Sequence, residues 1–194
     1  MNATILKKIA DIRSGYTFRG KAEEKPGSGI RMLQIRDVRE NSVIQSRDLI
    51  EIEWQGNQNI PTIDEGDIAI VARGIANTAA LMTGTEKVVP SNQLLVISLK
   101  SEICLPEYLC WWLNRKSTQA ILTGYHVGTS IPSLSKKELS ELSIPVPELS
   151  VQRKILNLSE LQRQEKLIYE QLLKNREIIL EGLFQQLLVN GETK

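Results

Sequence analysis

The order of hydrophobic and polar residues over the first 147 positions predicts several short strands with modest helices between them. Apolar and polar residues alternate through IRMLQIRDV (30–38) and DLIEIEW (48–54), and each run has the length of a strand. DIAIVAR (67–73) is typical of a buried strand, and VVPSNQLLVISL (88–99) predicts the clearest strand, with Pro90 at an edge or bulge. Because strands and helices do not alternate regularly, the pattern predicts an α+β globular domain.

Helical patterns interrupt these strands. PEYLCWWLNRKSTQAILTG (106–124) predicts one helix that ends at Gly124, with Leu109, Trp112 or Leu113, and Ile121 on its apolar stripe. SKKELSEL (135–142) predicts a short helix before an extended IPVPEL segment (144–149). Residues 4–13 fit a short helix or a strand that ends at Ser14-Gly15.

The pattern changes after Pro147, beyond which the chain contains no proline. With Ser150 as a plausible N-cap, a continuous helix is predicted over 151–189. Its apolar residues recur every eleven positions, which is about 3.67 residues per turn and gives a nearly straight stripe that needs a partner helix. The stripe consists of Leu161, Ile168, Leu172, Ile179 and Leu183. We therefore predict two domains: a globular domain at 1–147 and a long helical spacer or dimerisation region at 148–194.

Charge and cysteine content add little to this prediction of the fold and domains. The net charge is +1, but residues 1–50 carry ten Lys/Arg against six Asp/Glu, a balance of +4, which fits either a basic face or a mixed solvated surface. Cys104 and Cys110 lie in an apolar run and are expected to be reduced core thiols. No stretch approaches the ~20 apolar residues that a membrane span needs, so we expect a cytoplasmic protein without a membrane partner.

Motifs for catalysis are sparse. His126 is the only histidine, and the sequence contains no G-x-S-x-G, H-E-x-x-H, C-x-x-C, G-x-x-x-x-G-K-[ST] or G-x-G-x-x-G motif. It also lacks a short Pro-Pro-aromatic motif of the kind that amino-methyltransferases carry. We expect no catalytic residue, no metal site and no cofactor, although a small hydrolase built on His126 is a remaining hypothesis.

Four segments instead favour DNA binding: GYTFRG (15–20), QIRDVR (34–39), VARGIANT (71–78) and GYHVGTS (124–130). Each places hydrogen-bond donors or aromatic rings beside a strand, where base edges and phosphates are usually met. Arg73 is the strongest candidate, and it either contacts a guanine or phosphate or pairs with Asp67. The DNA-binding candidates are Tyr16, Phe18, Arg19, Arg36, Arg73, Asn77, Thr78, Tyr125, His126, Thr129 and Ser130.

The order of these segments resembles a known family. IADIRSGYTFRG, IRMLQIRDV, GDIAIVARG, VVPSNQLLVISL, LPEYLCWWLN and the closing GTSIPSLSKKELSELSIPVPELSVQRKI resemble a target recognition domain with its conserved helical region, from the DNA specificity (S) subunit of Type I restriction-modification enzymes. The most specific part is IPVP, which the family usually follows with Glu-Gln and an Ile. Gln152 and Ile155 match that pattern, and Val151 replaces the acid.

The resemblance implies a non-catalytic subunit that binds double-stranded DNA. It also implies a methyltransferase (M) subunit that methylates adenine and a restriction (R) subunit in the full complex. Family members usually have two recognition domains and two long helices, so this chain resembles a half-size form. Two copies could form an antiparallel homodimer that recognises a bipartite site. The alternative is a protein-binding helical adaptor, or a decoy that occupies the methyltransferase subunit without recognising DNA.

Overall fold

The computed structural model describes residues 3–18, 23–56, 59–125 and 132–191, with side chains described as far as residue 188. The chain divides into two compact units, residues 1–152 and residues 153–194. The strands are β1 (Ala3–Ile5), β2 (Ala10–Ser14), β3 (Ile30–Leu33), β4 (Val43–Gln45), β5 (Ile68–Val71), β6 (Ala79–Thr83), β7 (Lys87–Pro90), β8 (Leu94–Leu99) and β9 (Ser143–Pro145). The α-helices are α1 (Leu6–Ile9), α2 (Ile35–Glu40), α3 (Pro106–Leu113), α4 (Lys116–Gly124), α5 (Lys136–Ser140) and α6 (Leu149–Gly191).

A five-stranded sheet in the order β2-β8-β5-β6-β4 forms the centre of the globular unit. The β4–β6 pair is parallel, and the other neighbours are antiparallel. All four residues of β5 are buried, which confirms the predicted buried strand. Two smaller pairs flank this sheet, β3 with β7 in parallel and β1 with β9 in antiparallel orientation. This α+β architecture confirms the predicted fold class.

Two of the predicted strands are wrong in part. The run 30–38 is a strand only as far as Leu33, because the backbone N–H of Gln34 donates to the Asp37 carboxylate at 2.8 Å and a helix begins there. The run 48–54 makes only isolated bridges instead of a strand. The Arg31 guanidinium donates to the Leu49 carbonyl oxygen at 2.6 Å, so a side chain takes one backbone acceptor of this run, while Ile50 O and Ile52 N still bond to the backbone of β3.

The predictions for 88–99 and 106–124 also need correction, because each predicted element is two elements. Pro90 ends β7, and a turn in which Leu94 N donates to Ser91 O at 3.0 Å separates it from β8. The helix is interrupted after Leu113, because the Asn114 side chain bonds to both the N–H and the carbonyl of Ala79. The predicted stripe is wrong at Ile121, which is exposed, and Leu122 is buried in its place.

Several local predictions are confirmed. Helix α5 begins with a capping box in which Ser135 Oγ accepts from Glu138 N and Ser135 N donates to the Glu138 carboxylate. Cys104 and Cys110 are free and buried. Burial raises the pKa of the Cys104 thiol to about 11 and that of Cys110 to about 12. Both therefore stay protonated at neutral pH, which disfavours nucleophilic or ligand roles.

Helix α6 begins two residues earlier than predicted, at Leu149, so Ser150 lies inside its first turn and is not the N-cap. Gln152, the last residue of the globular unit, is fully buried. Its side-chain oxygen accepts from Leu105 N at 2.9 Å, and its amide nitrogen donates to Ile103 O and Pro147 O, both at 2.7 Å. The first turn of α6 is thereby bonded to the loop that precedes α3. No helix in the described part of the chain combines the length and the apolar composition of a transmembrane span.

Candidate nucleic-acid interface

Three chain segments meet at one end of the five-stranded sheet, where β2 and β5 end and β8 begins. Gly15 N donates to Leu94 O at 3.0 Å, and Tyr16 N donates to Pro90 O at 2.7 Å. On the other side of β8, Ala72 N donates to Gln93 O at 2.9 Å. We call the end of the sheet formed by residues 15–18, 72–78 and 91–93 the loop edge. It brings together two of the four segments that the sequence predicted to bind DNA.

The backbone around Arg73 is held by a second stretch of chain. Leu134 N donates to Ala72 O at 2.8 Å, and Gly74 N donates to Pro132 O at 2.9 Å, so residues 72–74 lie antiparallel to residues 132–134. The Arg73 side chain is exposed. Residues 132–134, which come shortly after the predicted GYHVGTS segment, therefore also reach the loop edge.

Arg39, from the predicted QIRDVR segment, also reaches the loop edge. Its guanidinium Nη2 donates to Arg73 O at 3.4 Å, and a Cβ added at Gly74 would lie 2.7 Å from the same nitrogen. Gly74 has φ +111°, a conformation that L side chains rarely adopt. Glycine thus permits both the turn and the approach of Arg39.

The proposed pairing of Arg73 with Asp67 is wrong. Asp67 pairs with Arg13 at 3.0 Å, and Arg13 also donates to Thr62 O and Ser98 Oγ, both at 2.6 Å. Within the described ranges, neither Arg39 nor Arg73 forms an ion pair. Both guanidinium charges are exposed, as an anionic partner would require.

Asn77 differs from the other candidates because it is fully buried. Its side-chain nitrogen donates to Val71 O at 2.8 Å, and its backbone N–H donates to the Gln119 side chain at 3.1 Å. Gln119 in turn donates to Asn77 O at 2.8 Å. This geometry argues against direct contact between Asn77 and DNA, and it fixes the 72–78 loop to α4. The neighbouring Thr78 is half-buried.

Tyr16 and Phe18 are half-buried and pack with Trp54, which the sequence analysis did not single out. The Tyr16 ring lies edge-on to Phe18 at 5.1 Å between centroids, and its centroid is 4.9 Å from that of Trp54. Gly15 allows this packing, because a Cβ there would lie 2.0 Å from Ser91 O. The aromatic rings thus stabilise the first loop of the edge, with part of their surface still accessible.

The remaining candidates are more dispersed or fall outside the described residues. Arg36 is exposed on α2, 3.7 Å from the carboxylate of its neighbour Asp37. Tyr125 is half-buried at the end of α4. The candidates outside the described residues are Arg19, His126, Thr129 and Ser130.

The helical unit exposes its apolar residues in the single chain. The predicted stripe residues are each between 48% and 62% exposed: Leu161, Ile168, Leu172, Ile179 and Leu183. Phe184, Leu187 and Leu188 are exposed as well. A helix with this much exposed apolar surface is stabilised by a partner that covers it.

Comparisons with known proteins agree with this architecture. The family model of the type I restriction modification DNA specificity domain matches residues 4–174. No curated protein matches the chain. A chain from a study of the "structural basis underlying complex assembly and conformational transition of the type I R-M system" has 18% identity and a TM-score of 0.73. That match covers 96% of this chain and 44% of the other.

A second structure, the HsdS subunit from Thermoanaerobacter tengcongensis, has 17% identity and a TM-score of 0.61, and the match covers 84% of this chain and 37% of that one. The present chain thus spans less than half the length of either protein. The shared fold comprises a mixed α/β domain followed by a long helix. Because the family model covers most of its 194 residues, the chain belongs to the family of type I restriction-modification DNA specificity domains.

Proposed function

We propose that this chain is the sequence-specific DNA recognition subunit of a type I restriction-modification methyltransferase. The observation that carries the proposal is the loop edge, where segments distant in sequence converge around exposed arginines on a rigid sheet. Loops fixed by a rigid scaffold are well suited to meet base edges in a groove. The family assignment does not favour the adaptor alternative, because the matched domain is a DNA specificity domain.

In this proposal the chain itself performs no catalysis. A methyltransferase subunit methylates adenine at the site that the chain selects, and a restriction subunit joins through the complex. Residues 1–147, which lie within the globular unit, act as the target recognition domain, and residues 148–194 act as a spacer and dimerisation helix. The candidate contacts at the described part of the loop edge are Arg73, Tyr16 and Phe18, and Arg36 and Tyr125 are secondary candidates. Thr78 is not among them, because its hydroxyl oxygen is buried.

The partner that covers the helix is proposed to be a second copy in antiparallel orientation. An antiparallel pair has twofold symmetry, so the same apolar stripe is buried on both chains. Helix α6 has 43 residues, about 65 Å at ~1.5 Å per residue, which is long for a helix with no partner. Two identical recognition domains would then select a palindromic, bipartite target.

A methylome comparison tests this function directly. Cells that express the chain with its methyltransferase subunit should carry adenine methylation at one bipartite palindromic motif, and cells with the methyltransferase subunit alone should lack it. With purified chain, log K for duplex DNA should fall against log salt with a slope of several, about −0.9 for each phosphate neutralised. A binding constant that does not change with salt would favour the adaptor, and a methylated site without dyad symmetry would exclude the homodimer.

A further inference from the structure

Ile75 is the most exposed large apolar residue of the described globular unit, with 79% of its surface accessible. Single exposed apolar residues are common on protein surfaces, so exposure alone does not indicate a function. Ile75 differs because the base of its loop is fixed on both sides. Val71 N donates to Thr78 O at 2.9 Å, and Asn77 donates to Val71 O across the same base. The loop presents an apolar tip on a rigid support.

The cations beside this tip have no anionic partner among the described residues. Arg73 and Arg39 come from positions 34 residues apart, and Arg39 bonds to the carbonyl of Arg73 next to Gly74. Guanidinium groups of this kind bind phosphate oxygens, which position a protein on a duplex without selecting a sequence. An apolar tip flanked by two phosphate-binding groups is suited to a groove whose walls are phosphates and whose floor carries an apolar group.

We propose that Ile75 is a specificity-determining residue that contacts the 5-methyl group of a thymine in the major groove, while Arg39 and Arg73 bind flanking phosphates. The inference rests on the proposed function and extends it to one base. The thymine methyl is the apolar group that a base pair presents in the major groove. The isoleucine side chain cannot form hydrogen bonds, so it cannot recognise the polar groups of the other base edges. Asn77 keeps the loop in place from inside and acts as a positioning residue.

The test uses the full chain and a random duplex DNA library at low salt. The parent protein should enrich a motif that contains an invariant thymine. Replacing that thymine by deoxyuridine removes only the methyl group and should weaken binding by the parent about fivefold or more. Ile75→Ala should lose the thymine preference at that position and bind the two duplexes equally. Ile103→Ala removes another exposed isoleucine of the same unit, at 52% accessibility, and should keep the parent motif.

The arginine roles give a second readout. Arg39→Ala should weaken binding to every sequence to a similar extent and make the salt slope shallower by about 0.9, without changing the motif. Arg47→Ala, which removes another exposed arginine of the same unit, should leave the slope unchanged.

The outcomes separate this inference from the proposed function. An enriched motif that Ile75→Ala leaves unchanged, or equal binding of thymine and deoxyuridine by the parent, would overturn the role of Ile75 and leave DNA recognition standing. A parent protein that enriches no motif would overturn the DNA recognition function, and the role of Ile75 with it. A motif change for Arg39→Ala would show that Arg39 contacts a base and would overturn its assignment to phosphate.

Discussion

The globular unit and the helical unit differ in the solvent exposure of their apolar residues. In the first unit, side chains such as Ile70 of β5 and Leu94 and Ile97 of β8 are buried, so the unit has its own core. In the second unit, stripe residues such as Leu172 and Leu183 are about half exposed. Burial of apolar surface is the main driving force of folding, so the first unit is stabilised internally, whereas the second has little buried apolar surface of its own. The difference supports the proposal that the helix is the part of the chain that assembles with a partner.

Charge placed on the stripe should have the largest effect. Leu172→Glu with Leu183→Glu should convert a dimer of about twice 21.9 kDa into a monomer, because four carboxylates cannot be solvated within the seam. Light scattering at micromolar concentration measures the change. Gln162→Glu with Gln185→Glu adds the same charge at exposed polar positions and should leave the dimer intact. A parent protein that is already monomeric would contradict the homodimer and indicate a different partner for the helix.

The next effect compares one residue type in the two units. Gln152→Ala should lower the free energy of unfolding of the globular unit by about 1–3 kcal/mol, because it leaves Leu105 N and two carbonyls without their partner. Gln164→Ala, on the exposed helix, should change it by less than about 0.5 kcal/mol. Urea denaturation followed by fluorescence reports this unit selectively, since all three tryptophans lie in it. Equal losses for the two variants would mean that the Gln152 contacts do not support the fold.

Alanine substitutions of two glycines, one in each unit, test the same difference between the units. Gly74→Ala should destabilise the globular unit by about 1–3 kcal/mol because of its positive φ. It should also reduce DNA affinity by displacing the Arg39 guanidinium. Gly182→Ala lies within a helix with open space around it, and it should stabilise the helical unit by up to about 1 kcal/mol. Thermal unfolding monitored by circular dichroism measures both changes, and a stabilising Gly74→Ala would contradict the described turn.

The features that could be predicted from sequence are those set by neighbouring residues. The buried strand β5, the capped helix α5 and the long helix α6 each follow from a local pattern. The predictions failed where a distant side chain bonds to the backbone. Asn114 interrupts a helix by bonding to Ala79, and Arg31 bonds to the Leu49 carbonyl of a predicted strand. Contacts of this kind cannot be predicted from the periodicity of neighbouring residues.

The candidate interface shows the same division. The sequence indicated the segments that converge at the loop edge, but not which side chains in them point outward. Asn77 was expected at the surface and lies inside, whereas Arg39 and Ile75 lie outside and were not singled out. Solvent exposure within a turn depends on the contacts of its base, here those of Asn77 with Val71 and Gln119. Glycine at position 74 was the available signal for a tight turn at this place.

The smallest predicted effect concerns pH and the surface of the helical unit. Hydrogen bonds from Arg163 and Gln164 lower the pKa of Glu160 from 4.5 to about 2. Because the folded-state pKa is depressed, the stabilisation is fully present above about pH 4.5 and is lost as the pH falls through 2.

The Tm difference between the parent protein and Glu160→Gln should therefore be present at pH 6 and should disappear near pH 2. It should be small and should shrink further in 1 M salt, because the group is fully exposed and screened by solvent. The carboxyl chemical shift of Glu160 gives the pKa directly. A midpoint near 4.5 would show that solvent competes successfully with Arg163 and Gln164, so that their hydrogen bonds to Glu160 contribute nothing to the stability of the helix.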